Sequence, residues 1–104
     1  MELTQLPLVN NTALHRPRFE LHVDGEIAYL EYAPLGDTKL ALIHTEVPKA
    51  LEGKGVASKL IHDVLERAKA GGKKIIPYCP FVQAYLKRHH EYQSIVIEPT
   101  NATS

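Results

Sequence analysis

Apolar and polar positions alternate in the first regular element of the chain, which spans Arg18–Val23. Every second residue there is apolar, as expected of a strand that buries one face. Asp24 and Gly25 follow, and this pair favours a two-residue hairpin turn. Residues 26–32 then continue as the returning strand. The pattern therefore predicts an antiparallel hairpin.

A second turn at residues 34–37 leads into a predicted strand, Leu40–Val47. Its first four residues are all apolar, which suits the centre of a sheet. In simple alternation His44 and Glu46 would lie on the same face as Leu40 and Leu42. A bulge near Thr45 would change that arrangement.

An apolar period of 3.6 residues begins after the two glycines of the segment 51–60 and predicts a helix that ends at Gly71-Gly72. Lys73–Tyr78 then predicts another strand. Strand, helix and strand in this order indicate a right-handed crossover between two parallel strands. The apolar stripe of the helix consists of Ala57, Leu60, Ile61, Val64, Leu65 and Ala68.

Pro80 fits best in the first turn of a second helix, which places Cys79 at or beside the N-cap. Ser94–Ile97 predicts a short last strand. The apolar face of this second helix is formed by Val82, Tyr85, Leu86 and His89.

Together these elements predict an α+β fold, a mostly antiparallel sheet with one parallel βαβ crossover and two main helices. We expect one domain over residues 18–98. An arm precedes it over residues 1–17, and a polar tail follows it over residues 99–104.

The composition narrows the classes of function. A chain of 104 residues forms one domain with one core. Twelve basic and 12 acidic side chains give zero formal charge, so we expect neither a nucleic-acid nor a membrane partner.

The first fifteen residues show no secretion signal, and no apolar run could span a bilayer, which favours a cytoplasmic protein. A single cysteine, Cys79, excludes an internal disulfide framework, and adjacent His89-His90 cannot face one metal, so we expect no metal site.

The segment Leu51–Leu60 carries the clearest candidate for ligand binding. Gly53 and Gly55 allow a tight turn and a close backbone approach to an anion, and a helix follows at once. The glycine spacing matches neither the Rossmann fingerprint nor a Walker A loop. The alternative is a helix start that uses its glycines only to turn a corner.

Three motifs together resemble the small single-domain branch of the GNAT superfamily of acetyl-CoA-dependent N-acetyltransferases. They are His44-Thr45-Glu46-Val47-Pro48, Glu52-Gly53-Lys54-Gly55-Val56-Ala57 and Tyr78-Cys79-Pro80-Phe81, and the likeness spans roughly Arg18 to Tyr92.

The resemblance implies that acetyl-CoA is the cofactor and an amine, small or in a protein, the acceptor. The main chain of the glycine loop would bind the pyrophosphate, and a tyrosine at the position of Tyr85 protonates the departing coenzyme in larger relatives. The alternative for Tyr85 is packing. The coenzyme-binding residues implied by the resemblance are Thr45, Val47, Gly53, Lys54, Gly55, Val56, Ala57, Ser58 and Tyr85.

The sequence departs from the superfamily in two places. Glu52 occupies a position where the superfamily has Gln or Arg, so its side chain brings no positive charge to a pyrophosphate, although main-chain donors survive the change. The tight turn at residues 23–26 leaves no room for the two helices that shape the acceptor site of larger relatives, which predicts an open acceptor side.

Three side chains are candidates for catalysis. An amine acceptor is mostly protonated at neutral pH, with a reference pKa near 10.4 for lysine, and His44 or Glu46 could deprotonate it. The alternatives are a hydrogen-bonded histidine and a solvated carboxylate. Cys79, beside a helix N-terminus, is either a reactive thiol that His44 assists or an inert buried thiol.

Three functions remain open from the sequence. The first is an acetyl-CoA-dependent N-acetyltransferase, the second a non-catalytic acyl-CoA-binding or partner-docking module, and the third a thioesterase-like hydrolase in which water attacks a thioester on Cys79.

Overall fold

The computed structural model of the protein describes residues 6–99. Its elements, in chain order, are β1 (Val9–Asn11), β2 (Arg18–Val23), β3 (Glu26–Leu35), β4 (Lys39–Glu46), α1 (Val56–Ala70), β5 (Lys74–Pro77) and α2 (Pro80–Arg88), with short 3-10 helices at Lys49–Leu51 and His90–Ile95. Within residues 6–99 no helix is both long and apolar enough to cross a membrane.

The five strands lie side by side in the order in which they occur in the chain. Strands β1 to β4 form three antiparallel pairs, and β5 is parallel to β4. Helix α1 is the crossover between β4 and β5. This confirms the predicted fold class. β1 lies within the segment expected to be an arm and pairs with β2.

The hairpin between β2 and β3 has the predicted two-residue turn. Val23 pairs with Glu26, and the pairing continues to Arg18 opposite Glu31. Asp24 and Gly25 have positive φ angles of 51° and 79°, as the favoured two-residue hairpin turn requires.

A β-bulge interrupts the pairing of β3 with β4. Tyr32 pairs with Leu42 and Glu31 pairs with His44, so Ile43 is one extra residue on β4. An extra residue reverses the alternation of side chains beyond it. The buried face therefore continues from Leu42 to Thr45, while His44 points the other way.

One face of the sheet, called the inner face below, carries the core. Buried residues of β2 to β5 and of both helices form a single cluster with residues of the two 3-10 helices. Every helical element of residues 6–99 thus packs on this side. On the opposite, outer face Glu20 and Ala41 are buried, whereas His22, His44 and Glu46 are exposed.

The predicted last strand is wrong for Ser94 and Ile95, which belong to the second 3-10 helix. Only Val96 makes a bridge, parallel to Ile75, and the N–H of Ile97 bonds the carbonyl of Ile75 at 2.8 Å. Buried Tyr92 explains the difference, because its hydroxyl donates to Glu66 on α1 and holds this segment in a helical turn.

Candidate active site

A cavity of about 430 Å³ lies at the end of β4, between that strand, the glycine loop and the start of both helices. Nine of the twelve residues predicted for the site line it. The lining consists of His44, Thr45, Glu46, Val47, Leu51, Glu52, Gly53, Gly55, Val56, Ala57, Ser58 and Phe81.

The cavity exists because β4 is longer than its parallel partner. Pairing with β5 ends where Leu42 lies opposite Pro77. The N–H groups of Tyr78 and Cys79 both donate to the carbonyl of Leu42 at 3.0 Å, and α2 begins directly afterwards. Within the described chain, the last three residues of β4 therefore pair with β3 alone, and a gap opens on their other side.

The glycine loop closes one side of this gap. Gly53 and Gly55 have φ angles of 78° and 76°, and a Cβ at either position would meet no atom within 4 Å. The conformation therefore favours glycine, and the space in front of the backbone is open.

Gly55 is also the N-cap of α1. In this part of the chain no side chain caps the helix and no acidic residue stands in its first turn. The first intrahelical bond is Lys59 N–H to the Gly55 carbonyl at 3.0 Å. The N–H groups of the first turn are therefore available to an anion, and the helix dipole favours negative charge there.

The cavity reaches both faces of the sheet. Neighbouring side chains of a strand point to opposite faces, and four consecutive residues from His44 to Val47 line the cavity. Thr45, buried on the inner face, lies on the side of the glycine loop. His44 and Glu46 lie on the outer face, about half exposed.

His44 and Glu46 form a polar pair at the outer opening. Nε2 of His44 lies 2.9 Å from Oε1 of Glu46. A carboxylate only accepts hydrogen bonds, so this contact places the ring proton on Nε2. In the neutral ring Nδ1 then remains a proton acceptor.

Cys79 does not meet His44. It is 1% exposed and its Sγ lies 3.2 Å from Oγ1 of Thr45, on the inner face. The bulge at Ile43 causes this separation, because it turns Thr45 towards Cys79 and His44 away. Cys79 is the N-cap of α2, as expected, but it reaches the cavity only through Thr45.

Two predicted coenzyme contacts lie outside the lining. Lys54 is exposed. Tyr85 is buried and stacks on His89 with ring centroids 4.0 Å apart. Burial raises the pKa of Tyr85, and the carboxylates of Glu91 and Glu66 raise it further. These contacts agree with the packing alternative for Tyr85.

The structure adds three lining residues that the sequence did not single out as site residues, namely Leu51, Glu52 and Phe81. Phe81 is 55% exposed in the first turn of α2. The available signal was that Phe81 is a large apolar residue outside the predicted apolar face of α2.

The fold and the cavity define the class of protein. Residues 18–95 match the profile of the GCN5-related N-acetyltransferases, and the chain belongs to this family. The resemblance found in the sequence is therefore confirmed, and by family the protein is an acetyltransferase.

A solved structure supports the same class. The chain is similar to a GCN5-like protein from Staphylococcus aureus, provisionally assigned as an N-acetyltransferase, whose structure was determined in solution by NMR. The two share 25% sequence identity with a TM-score of 0.68, over 94% of each chain. No curated protein matches the sequence at a significant level.

Proposed function

We propose that the protein transfers an acetyl group from acetyl-CoA to an amine. The observation that carries this proposal is a cavity that joins the glycine loop and the uncapped start of α1, on the inner side of β4, to a histidine and a carboxylate on the outer side. A two-sided cavity allows the acyl donor and the amine to approach each other from opposite faces of the sheet.

The glycine loop would hold the coenzyme. Its pyrophosphate would accept hydrogen bonds from main-chain N–H groups between Gly53 and Ser58. The open space in front of Gly53 and Gly55 fits this role, and so does the uncapped start of α1. Glu52 also lines the cavity, so binding relies on backbone donors rather than on a cationic side chain. Bound acetyl-CoA supplies the acetyl group as an activated thioester.

His44 is the proposed general base. Glu46 holds the imidazole with its proton on Nε2, so Nδ1 can accept a proton from an incoming ammonium. The neutral amine can then form the new C–N bond. Glu46 acts through His44 in this scheme and stabilises the imidazolium that results.

Thr45 and Cys79 form the proposed proton source on the opposite side. Thr45 lines the cavity, and its hydroxyl is hydrogen-bonded to the Cys79 thiol. A proton can pass from Thr45 to the departing thiolate while the thiol of Cys79 replaces it on the hydroxyl. The burial of Cys79 favours direct transfer to the amine over an acetyl group carried on the cysteine.

The experiment is a coenzyme A release assay on the full chain with acetyl-CoA and a panel of amines and lysine peptides. Release that depends on the amine, with acetylated amine detected by mass spectrometry, is the expected result. Equal release without an amine would indicate a hydrolase. Coenzyme binding without release would indicate a binding module.

The cytoplasmic location expected from the sequence stays a prediction, which cell fractionation would test. The same holds for the absence of a nucleic-acid or membrane partner.

A further inference from the structure

The charges that line the cavity do not match the charge of the proposed coenzyme. Glu46 on the outer side and Glu52, directly before Gly53, both line it, and none of the lining residues within 6–99 is a lysine or an arginine. Coenzyme A is a polyanion, and its pyrophosphate group is a dianion. Carboxylates in the lining therefore repel the ligand that the backbone N–H groups would attract.

Glu52 stands at the start of the glycine loop. Its N–H donates to the carbonyl of Lys49 at 3.1 Å, which ends the first 3-10 helix, and Gly53 follows with a φ angle of 78°. A hydrogen bond on one side and a glycine conformation on the other thus determine the backbone at Glu52. The residue is held next to the main-chain donors proposed for the pyrophosphate.

The Glu52 carboxylate has no ion-pair partner in the part of the chain that the structure describes. Lys59, in the first turn of α1, is already paired with Asp63 at 2.8 Å. Lys54 is exposed and does not line the cavity. An exposed carboxyl group is ionised near neutral pH. An incoming pyrophosphate therefore meets Glu52 as an uncompensated negative charge.

This charge opposes the binding of acetyl-CoA and of coenzyme A alike, because both carry the same pyrophosphate. Weak binding of the product has a use, since product release is the slow step in many enzymes. The uncapped start of α1 supplies attraction, and Glu52 limits it. The balance between the two determines how long coenzyme A stays bound after the transfer.

We propose that Glu52 sets the affinity for the coenzyme: its repulsion of the pyrophosphate weakens binding and speeds the release of coenzyme A. This inference rests on the proposed acetyl transfer from acetyl-CoA. It assigns a function to the acidic residue by which the chain departs from the superfamily pattern.

The first test measures the affinity of the full chain for coenzyme A by calorimetric titration at low ionic strength. Glu52→Gln and Glu52→Ala should each lower the Kd about tenfold, because both remove the charge and only the first adds a hydrogen-bond donor. Glu52→Asp keeps the charge and should keep the Kd within about threefold. Equal Kd values for the native protein and Glu52→Ala would overturn the proposal.

Glu26→Gln is the matched control for net charge. Glu26 is exposed at the start of β3 and does not line the cavity. Loss of its charge should change the Kd by less than about twofold. A decrease as large as that in Glu52→Gln would assign the effect to the total charge of the protein and refute a role of Glu52.

Ionic strength separates repulsion from a change of contacts. The Debye length falls from about 30 Å at 0.01 M salt to about 3 Å at 1 M salt. The Kd of the native protein should therefore exceed that of Glu52→Ala about tenfold at the lower ionic strength and about twofold at the higher one. A ratio that stays constant would show that the charge of Glu52 does not weaken binding.

A displacement experiment separates this inference from the proposed function. Bound etheno-coenzyme A, a fluorescent analogue, is displaced by excess coenzyme A in a stopped-flow instrument, and its release should be about threefold or more slower from Glu52→Ala than from the native protein. Slower release without any acetyl transfer would retain the role of Glu52 and reject the transferase. Transfer with equal release rates would retain the transferase and reject the role of Glu52. No binding of coenzyme A to either protein would reject both.

Discussion

Gly55 is the residue at which backbone conformation and the proposed coenzyme contact coincide. Gly36 offers a matched comparison in the turn before β4, because both have positive φ angles, 76° and 64°, and a Cβ added to either would meet no atom within 4 Å. Only Gly55 lines the cavity. Substitution by alanine should therefore cost similar folding stability at both sites and should affect coenzyme binding at one.

We predict that Gly55→Ala and Gly36→Ala each lower the free energy of unfolding by roughly 1 kcal/mol. Only Gly55→Ala should also weaken coenzyme A binding, by about tenfold, which corresponds to about 1.4 kcal/mol. Calorimetric titration and denaturant unfolding measure the two quantities. Equal coenzyme affinities in the two variants would remove the glycine loop from the proposed site.

Variants of Cys79 and Thr45 distinguish three roles of the thiol: a proton source that acts through Thr45, a covalent carrier of the acetyl group, and a packing group. Cys79→Ser keeps a hydrogen-bonding partner for Thr45, whereas Cys79→Ala removes it. We predict that the serine variant keeps most of kcat and that both Cys79→Ala and Thr45→Val lose about tenfold or more, with coenzyme affinity unchanged in all three.

Other outcomes have distinct meanings. Loss of activity in both cysteine variants, with an acetyl adduct on the native protein in intact mass spectra, would indicate a covalent role. Full activity in both would indicate packing alone. Because Cys79 is buried, its reaction with iodoacetamide should be slow near neutral pH.

At the scale of the element, the stability of β2 depends on the ionised form of Glu20. Burial opposes its ionisation, but hydrogen bonds from Arg18, Asn11 and His22 outweigh this and lower the pKa of Glu20 to about 2 from 4.5. A group whose pKa is lower in the folded state contributes stability above its unfolded pKa. That contribution is lost as the pH falls from about 4.5 to about 2.

We predict that Glu20→Gln lowers the free energy of unfolding by on the order of 2 kcal/mol at pH 6, and that the difference from the native protein shrinks as the pH approaches 2. Denaturant unfolding at several pH values measures this. Glu26→Gln, at the exposed start of β3, should have little effect at any pH. A constant difference across this pH range would argue against the ionic anchor.

The sequence predicted most elements because their signals are local. The Asp24-Gly25 pair defines the β2–β3 hairpin, and the apolar period after Gly55 defines α1. The bulge at Ile43 was considered only as a possibility near Thr45, since it depends on how β3 and β4 pack. Its position determines which side chain of β4 meets Cys79.

Two further features could not be predicted from the sequence, because each depends on contacts between distant parts of the chain. The alternation in β2 places Glu20 among its polar positions, yet its burial depends on partners from β1 and β2 that only the folded sheet brings together. The chain after α2 has the composition of a strand, but the long-range contact of Tyr92 with Glu66 holds it in a 3-10 helix.

For the whole molecule, the N-terminal segment completes both the core and one edge of the sheet. Leu6 and Leu8 pack against the core, and the Leu8 carbonyl accepts from Arg67 on α1 at 3.2 Å. Asn10 accepts a hydrogen bond from the Tyr32 hydroxyl at 2.7 Å. β1 covers the edge of β2.

We predict that a chain starting at residue 13 loses on the order of 3 kcal/mol of unfolding free energy and tends to associate through the exposed edge of β2. Denaturant unfolding and size-exclusion chromatography at several concentrations would show both effects. Removal of residues 1–5 alone is the control, because it leaves every contact described above in place. Equal stability of the two truncated chains would contradict the prediction.

The agreement between strand order and chain order also bears on how the protein folds. As the polypeptide leaves the ribosome, each strand from β2 onward can pair with one that has already been synthesised, and only β5 must wait for α1. Short loops close faster and at less entropic cost than long ones. We therefore expect the β2–β3 hairpin to form first and the gap beside β4 to form last, once α2 has packed.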